Sequence, residues 1–206
     1  SITIFQHAIN VTDKKYPDFY LVHNNLGNAF YKEKNIKEAV THYKTALRLN
    51  PDYATAHGNL GNALFYKRKT EEAISHYKMA ISLKPDLAQA HNNFGSALLA
   101  EGKIEEASFH FKLAIKLQPN FALAHYNLGL ILKAKRKTEE AISEYKIAIK
   151  INPDLPQAHN NLGNALLAEG KIEAAISHYK EAIRIQPDLA TAQKNLEIAI
   201  SKLEKQ

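Results

Sequence analysis

The 206-residue chain contains no cysteine and no tryptophan, and it has no long apolar run. The lack of cysteine excludes disulfide bonds, thiolate metal ligands and cysteine nucleophiles, but it leaves the redox compartment open. A membrane-spanning helix needs roughly 18 or more consecutive apolar residues, and no stretch approaches that length. We therefore expect no membrane insertion by this segment. Its localisation stays open between cytoplasm and periplasm, and a membrane-anchored parent protein is one alternative.

Motifs for common catalytic chemistry are missing as well. The chain has no Gly-rich phosphate loop, no His-Glu-x-x-His helix, and no nucleophile on a strained turn with His and Asp partners. We predict that it is not an enzyme and that it holds no cofactor and no metal. The net charge of +6 would favour acidic partners. However, Lys and Glu are interleaved in helical stretches, which is typical of a solvated face, so we do not expect nucleic acid as a partner.

The main feature of the sequence is a short motif that recurs every 34 residues. It reads His-x-Asn-Leu/Phe-Gly, and its histidines are His23, His57, His91, His125 and His159. Prolines keep the same interval at Pro17, Pro51, Pro85, Pro119, Pro153 and Pro187. A period of this length indicates units that stack in a line instead of closing around one core.

Each unit is predicted to be a helical hairpin. In residues 51–84, one helix face carries His57, Leu60, Gly61 and Leu64, and a second helix face carries Ala73, Ile74, Tyr77, Ala80 and Ile81. The Pro-Asp or Pro-Asn pair is expected to begin the first helix, with the carboxylate at the positive end of the helix dipole. The small residues should let the two helices approach closely, and the tyrosine should fill the space opposite them.

These residues resemble the tetratricopeptide repeat family, a 34-residue helical hairpin with Leu-Gly, Ala, Tyr, Ala and Pro at fixed places. The resemblance implies an all-α fold, a right-handed α-solenoid of stacked antiparallel helix pairs. Two departures stand out. Histidine replaces the Trp that is frequent in the family, and Lys34, Arg68 and Arg136 replace the hairpin glycine that Gly102 and Gly170 keep. A non-glycine residue in a left-handed turn costs roughly 1 kcal/mol.

The expected organisation has three parts. Residues 1–16 form a partial preceding repeat, its second helix and a linker, and residues 187–206 form a polar capping helix. Between them lie five repeats, 17–50, 51–84, 85–118, 119–152 and 153–186. The first helix that should precede residues 1–16 is absent, so we expect the chain to be a fragment of a longer protein. That uncovered N-terminal edge also suggests self-association as one alternative.

The histidines invite a metal hypothesis, but packing explains them better. Five of them lie on the apolar stripe of the first helix, one repeat apart. Helix axes pack roughly 8 to 10 Å apart, whereas zinc ligands must all lie about 2 Å from one ion. Equivalent histidines of successive repeats are therefore predicted to be core residues, and those on the second helix to be surface or interhelix residues.

The asparagines of the same motif are the candidate binding residues. They lie about 200° around the helix from the histidine, so they face away from the core stripe. The predicted site comprises Asn25, Asn59, Asn93, Asn127, Asn161 and Asn195, extended one turn further by Asn28, Asn62 and Asn164. In the resembled family this side of the first helix lines the concave groove of the solenoid, where extended peptides bind.

A carboxamide offers both a donor and an acceptor, so it can pair with a peptide backbone without reading side chains. At about 10 Å between helices and roughly 3.3 Å per extended residue, one Asn would meet every third ligand residue. An alternative stays open, in which the asparagines bridge neighbouring first helices. Selectivity would come from flanking residues, of which Phe65 and Tyr126 are predicted anchors, together with Tyr31, Lys32, Tyr66, Leu123, Leu130 and Lys133. Leu130 has an equally good interpretation as a contact with the next first helix.

Two functions follow. The first is a protein-interaction scaffold that binds an extended peptide or a partner protein in its groove. The lysines of the two-carboxylate clamp in chaperone-binding members of the family are missing, so chaperone C-termini are not expected. The second is a substrate-recognition region of a larger glycosyltransferase, because the repeated motif is similar to the repeats of O-linked N-acetylglucosamine transferases. Residues 1–9 also resemble a junction in bacterial glycosyltransferase-like repeat proteins.

Overall fold

The computed structural model describes residues 18–205, and in this part of the chain eleven helices account for all regular structure, with no strand. They are α1 Phe19–Lys32, α2 Ile36–Leu49, α3 Ala54–Tyr66, α4 Thr70–Leu83, α5 Ala88–Ala100, α6 Ile104–Leu117, α7 Ala122–Ala134, α8 Thr138–Ile151, α9 Pro156–Ala168, α10 Ile172–Ile185 and α11 Ala190–Leu203. The all-α prediction is confirmed. The partial repeat predicted at 1–16 lies outside the described residues. None of the described helices is long and apolar enough to cross a membrane.

The chain divides into two compact units, and the boundary falls between His110 and Phe111, within α6. In the first unit α1 packs on α2 and α3 on α4, while α2 also packs on α3 and α4 on α5. In the second unit α7 packs on α8 and α9 on α10, with α8 against α9 and α10 against α11. Each unit is therefore a stack of helical hairpins, as predicted.

Each hairpin turn contains one residue in the left-handed region. In the turn between α3 and α4, Arg68 has a φ of 62°, and the N–H of Lys69 donates to the carbonyl of Leu64. This bond closes the end of α3 in the manner of a Schellman motif. Lys34 and Arg136 have a φ of 60°, and Gly102 and Gly170 have φ values of 75° and 76°. The predicted left-handed positions are confirmed, including the three that lack glycine.

A glycine of the first helix lies directly under the tyrosine ring of the second helix in both units. A Cβ atom placed on Gly61 would come within 2.6 Å of Cε1 of Tyr77, closer than any real side chain tolerates. The same contact joins Gly27 to Tyr43, Gly129 to Tyr145 and Gly163 to Tyr179. These tyrosines are almost fully buried. The predicted close approach of the two helices is confirmed, and it depends on the missing Cβ.

The predicted start of the first helices was wrong in every repeat but the first, where Asp18 is the N-cap of α1. Pro51 and Asp52 lie in a turn, and α3 begins at Ala54 after Tyr53 as the N-cap. The corresponding helices α5, α7, α9 and α11 likewise have no acidic residue in their first turn and no side-chain cap. The proline carbonyl is needed elsewhere, because it accepts a hydrogen bond from the core histidine of its own repeat. In contrast, Glu71 and Glu72 do occupy the first turn of α4, as the dipole argument expects.

The glycine–tyrosine contact can be tested with two glycines of one helix. Gly61→Ala should lower the free energy of unfolding by about 1 to 3 kcal/mol, because the new methyl group overlaps the Tyr77 ring. Gly58→Ala is the control, since a Cβ at Gly58 meets nothing within 4 Å. That change should raise stability by roughly 0.5 to 1 kcal/mol through helix propensity. Thermal and urea unfolding followed by circular dichroism measure both, and equal effects of the two substitutions would contradict the packing argument.

Candidate functional site

Side-chain amides join the first helices of successive repeats in the first unit. Both hydrogens of Asn59 Nδ2 are used, one to Oδ1 of Asn24 at 2.9 Å and one to Oδ1 of Asn28 at 3.0 Å. One repeat later, Asn93 Nδ2 donates to Oδ1 of Asn62 at 2.7 Å. These bonds connect α1 with α3 and α3 with α5. We call this row of carboxamides, together with its counterpart in the second unit, the amide ladder.

The buried tyrosines anchor the amide ladder to the second helices. Tyr43 donates its hydroxyl hydrogen to Oδ1 of Asn28 at 2.9 Å, and Tyr77 donates to Oδ1 of Asn62 at 2.8 Å. Each of these amide oxygens thus accepts two hydrogen bonds, one from its own repeat and one from the next. Because Asn28 directly follows Gly27, the ring that covers the glycine brings its hydroxyl to the adjacent residue. A single oxygen therefore links three helices.

The second unit repeats this arrangement at its C-terminal end. Asn195 Nδ2 donates to Oδ1 of Asn160 and of Asn164, both at 2.9 Å, and Tyr179 donates its hydroxyl hydrogen to Asn164 Oδ1 at 2.8 Å. Asn161 has a different partner, because its Nδ2 donates to the hydroxyl oxygen of Tyr126 at 3.2 Å. The ladder therefore includes Asn160, Asn161, Asn164 and Asn195, with Tyr126 replacing an amide.

The repeat at 119–152 interrupts the amide ladder. Leu130 stands where Asn28, Asn62 and Asn164 stand in their repeats, and its side chain packs on the hydrophobic core. As a result Tyr145 OH is buried without a hydrogen-bond partner, the one such side-chain atom found in the described part of the chain. A buried unpaired hydroxyl costs roughly 1 to 3 kcal/mol. The packing of Leu130 agrees with the structural alternative given for it above.

The remaining predicted residues lie on the same helices but differ in exposure. Asn25 on α1 is exposed, and Asn127 on α7 is half-buried. Phe65 is half-buried, whereas its neighbour Tyr66 is 58% exposed and meets Tyr31 edge-on with ring centroids 6.4 Å apart. The aromatic pair on the surface of the first unit is therefore Tyr31 and Tyr66.

Five ladder amides keep one polar atom without a partner, whereas Asn93, Asn160 and Asn161 use both their nitrogen and their oxygen. Among the described residues, nothing accepts a hydrogen from Nδ2 of Asn28, Asn62 or Asn164, since these amides use only their oxygens. Conversely, no described group donates to Oδ1 of Asn59 or Asn195, which use only their nitrogens. All five side chains are half-buried, so water or a ligand can reach them. The face therefore presents both free donors and free acceptors.

A cavity of about 490 Å3 lies on this face in the second unit. It is lined by residues of α7, α9 and α11 and of the turn before α11, namely Tyr126, Gln157, Asn160, Asn161, Asn164, Leu189, Thr191, Lys194 and Asn195. Five of these, Gln157, Asn160, Leu189, Thr191 and Lys194, are absent from the predicted site. The sequence contains a signal that could have identified Lys194. This residue follows Tyr126 and Asn160 at the 34-residue interval, so it occupies the same place in its repeat.

The core histidines form pairs with the second helix of the same repeat. Their Nδ1 atoms lie 2.9 to 3.1 Å apart in His23–His42, His57–His76, His91–His110 and His159–His178. The other ring nitrogen, Nε2, of His57, His91 and His159 lies 2.9 to 3.1 Å from the carbonyl of the proline that opens the repeat. A carbonyl can only accept, so Nε2 carries the hydrogen. The histidines thus pack and connect helices, as predicted, and the described residues contain no cluster of three or more metal-ligating side chains.

Each neutral histidine pair can bind one additional proton but not two. A second proton would place two Nδ1–H groups against each other at this distance. Burial, followed by the positive fields of His42 and Arg48, lowers the pKa of His23 to about 4. Burial and His91 lower the pKa of His110 to about 4 against the opposing effect of Glu106. The repeat at 119–152 is again different, since His125 Nδ1 lies 2.6 Å from a carboxylate oxygen of Glu144.

Comparison with protein families identifies the chain. A family model described as TPR repeat matches residues 27–67, 61–102, 95–136 and 131–170, and one described as Tetratricopeptide repeat matches residues 156–189. The chain belongs to the tetratricopeptide repeat (TPR) family. No curated protein matches the TPR chain in full-sequence comparison.

Solved TPR structures share the fold. YrrB, described as a TPR protein with an unusual peptide-binding site, has 23% identity and a TM-score of 0.65, over 94% of this chain and 98% of its own. MamA has 25% identity and a TM-score of 0.65, over 80% and 96%. PilF of Pseudomonas aeruginosa has 20% identity and a TM-score of 0.74, over 90% of both chains. The similarity of the repeats to glycosyltransferase repeats stays a prediction.

The role of the amide oxygens can be tested with two tyrosines of the second unit. Tyr179→Phe removes a hydroxyl that donates to Asn164 and should cost about 0.5 to 1.5 kcal/mol of unfolding free energy. Tyr145→Phe removes a hydroxyl without a partner in the described structure and should be neutral or stabilising. Urea unfolding of both variants against the wild type gives the comparison. A larger loss for Tyr145→Phe than for Tyr179→Phe would contradict the assigned hydrogen bonds.

The histidine pairs predict acid sensitivity of the TPR stack. Unfolded histidine titrates near pH 6.5, whereas folded His23 and His110 titrate near 4, so the unfolded chain binds more protons between these values. Stability should be complete above pH 6.5 and fall as the pH drops towards 4. The window from pH 6.5 to about 5.5 lies above the ordinary range of carboxylates and isolates the histidines.

Thermal unfolding at several pH values and NMR titration of the imidazoles measure this effect. His178→Glu copies the His125–Glu144 pair into the next repeat and should reduce the loss of stability over the same window. A thermal midpoint that stays constant or rises as the pH falls from 6.5 to about 5.5 would contradict the prediction.

Proposed function

We propose that this TPR chain is a non-enzymatic scaffold that binds an extended segment of a partner protein along its first-helix face. The observation that carries the proposal is that five amides of the ladder use only one of their two polar atoms. On α3, Asn59 keeps a free acceptor and Asn62 a free donor, one helical turn apart. A peptide unit offers the complementary C=O and N–H, so the backbone of an extended segment suits this face.

The amides alone support only weak and permissive binding. Each hydrogen bond contributes about 0.5 to 1.5 kcal/mol net, and association costs several kcal/mol. Anchoring by apolar side chains is therefore part of the proposal. In the first unit the exposed Tyr66 and its neighbour Tyr31 supply an aromatic surface for this purpose. Phe65 is half-buried beside them.

Two further points favour a binding scaffold. YrrB, which shares the fold over nearly its whole length, is described as having a peptide-binding site. In addition, the histidines and tyrosines that could act as catalytic groups are engaged in structural hydrogen bonds. The core histidines are engaged at both ring nitrogens in four repeats. Burial raises the pKa of Tyr179 to about 12, so its hydroxyl stays a neutral donor to Asn164.

The hydrogen bonds of the amide ladder decide which substitutions can test this proposal. Alanine at Asn59 would remove bonds that hold α1 and α3 together, so it would confuse stability with binding. Asn28→Asp combined with Asn62→Asp keeps every oxygen acceptor of these side chains, removes their two free NH2 groups and adds two negative charges. Asn50→Asp combined with Asn152→Asp is the charge-matched control, because both residues lie outside the ladder and use their side-chain oxygens within their own turns.

The probe is a pool of random nonapeptides with acetylated N-termini and amidated C-termini, titrated into the isotope-labelled chain. In the wild type the side-chain amide signals of Asn28 and Asn62 should shift with peptide concentration. The double variant should bind at least about tenfold more weakly, since two bonds of roughly 1 kcal/mol are lost. The control with Asn50→Asp and Asn152→Asp should bind like the wild type. Unchanged affinity of a folded double variant, or no peptide-induced shift in the wild type, would refute the proposed function.

A further inference from the structure

The cavity of the second unit has more free hydrogen-bond donors than free amide acceptors. Four donor groups in its lining have no acceptor in the described part of the chain. They are Lys194 Nζ, Thr191 Oγ1, Asn164 Nδ2 and the hydroxyl of Tyr126. Asn164 and Tyr126 act only as acceptors in the bonds they form with Tyr179, Asn195 and Asn161. Only Asn195 Oδ1 is a free acceptor among the ladder amides of this cavity. Gln157 Oε1 is free as well, because Gln157 bonds only through its nitrogen. Four free donor groups therefore face two free amide acceptors.

The residues that line the cavity carry positive charge only. Among the described residues that line it, Lys194 alone is charged, and no carboxylate is present. Lys194 is exposed and forms no ion pair with any described residue. Burial raises the pKa of Tyr126, which keeps its hydroxyl protonated and able to donate. A lysine with a phenol, a hydroxyl and an amide around one cavity suits a group that carries negative charge and accepts several hydrogen bonds.

We infer that this cavity takes the side-chain carboxylate of an aspartate or glutamate in the bound segment, with Lys194 as the charged partner. The inference rests on the proposed function and adds a chemical preference to it. One ammonium group balances one carboxylate, whereas a phosphate of nearly two charges calls for arginine or several cations. The carboxylate accepts through two oxygens, so Thr191 and Tyr126 can donate to it as well.

A side chain fits better than a chain terminus. Asn164 offers a donor and Asn195 an acceptor in the same cavity, which is the pair that one backbone peptide unit needs. A segment whose backbone pairs with these two amides continues past the cavity, so we assign one of its side chains, and not its terminus, to Lys194. The neighbouring repeats lack an equivalent cation, since Tyr126 and Asn160 precede Lys194 in its row. The acidic preference is thus local to this cavity.

Three pools of random nonapeptides with acetylated N-termini test the inference on the full 206-residue chain. The first two are amidated and carry either Glu or Gln at the central position, and the third carries central Gln with a free C-terminal carboxylate. The variants are Lys194→Gln and, as the matched control, Lys180→Gln, an exposed lysine of α10 outside the cavity. Lys194 has no described partner, so both variants should unfold at the wild-type temperature.

The wild type should bind the Glu pool about 5- to 30-fold more tightly than the amidated Gln pool, with the difference shrinking at high salt. Lys194→Gln should abolish this preference, and Lys180→Gln should keep it. Equal binding of the two amidated pools would overturn the inference while the proposed function stands. A preference for the free C-terminus alone would also overturn it. Absence of binding to every pool would refute the proposed function and this inference together.

Discussion

The contact between a glycine of the first helix and a tyrosine ring of the second is the constraint on which the rest of the structure depends. Without a Cβ at Gly61, the Tyr77 ring lies against the backbone of α3, and its hydroxyl meets the next residue, Asn62. The same oxygen then accepts from Asn93 in the following repeat. A packing requirement inside one hairpin thereby fixes a polar connection between hairpins, and the same sequence of contacts occurs in both units.

This arrangement divides five of the ladder amides into a structural half and a free half, whereas Asn93, Asn160 and Asn161 use both their nitrogen and their oxygen. Where the oxygen is used twice, as in Asn28, Asn62 and Asn164, the nitrogen is free, and where the nitrogen is used twice, as in Asn59 and Asn195, the oxygen is free. The two interpretations of the asparagines, bridging and ligand binding, are therefore compatible, because they concern different atoms. Tyr145 shows the cost of breaking the pattern, since Leu130 leaves its hydroxyl buried and unpaired.

Much of the fold could be predicted from the sequence, because the 34-residue period and the helical spacing repeat in every unit. The glycine–tyrosine contact and the left-handed turns also followed from residue size and position. The division of the amides could not be predicted, because the partners lie 31 or 35 residues apart and depend on how far each helix is rotated. The helix starts were wrong for a different reason. The carbonyl of Pro51 bonds to His57, so the Pro-Asp turn stays outside α3.

The most direct test of the central claim is the hydrogen exchange of the individual asparagine side-chain amides, followed by NMR in the absence of any ligand. In this account the NH2 groups of Asn59 and Asn195 exchange slowly, because both of their hydrogens are bonded to neighbouring amides. The NH2 groups of Asn28, Asn62 and Asn164 exchange as fast as those of exposed asparagines. Equal protection of the two groups, or slow exchange of Asn62 and fast exchange of Asn59, would contradict the account.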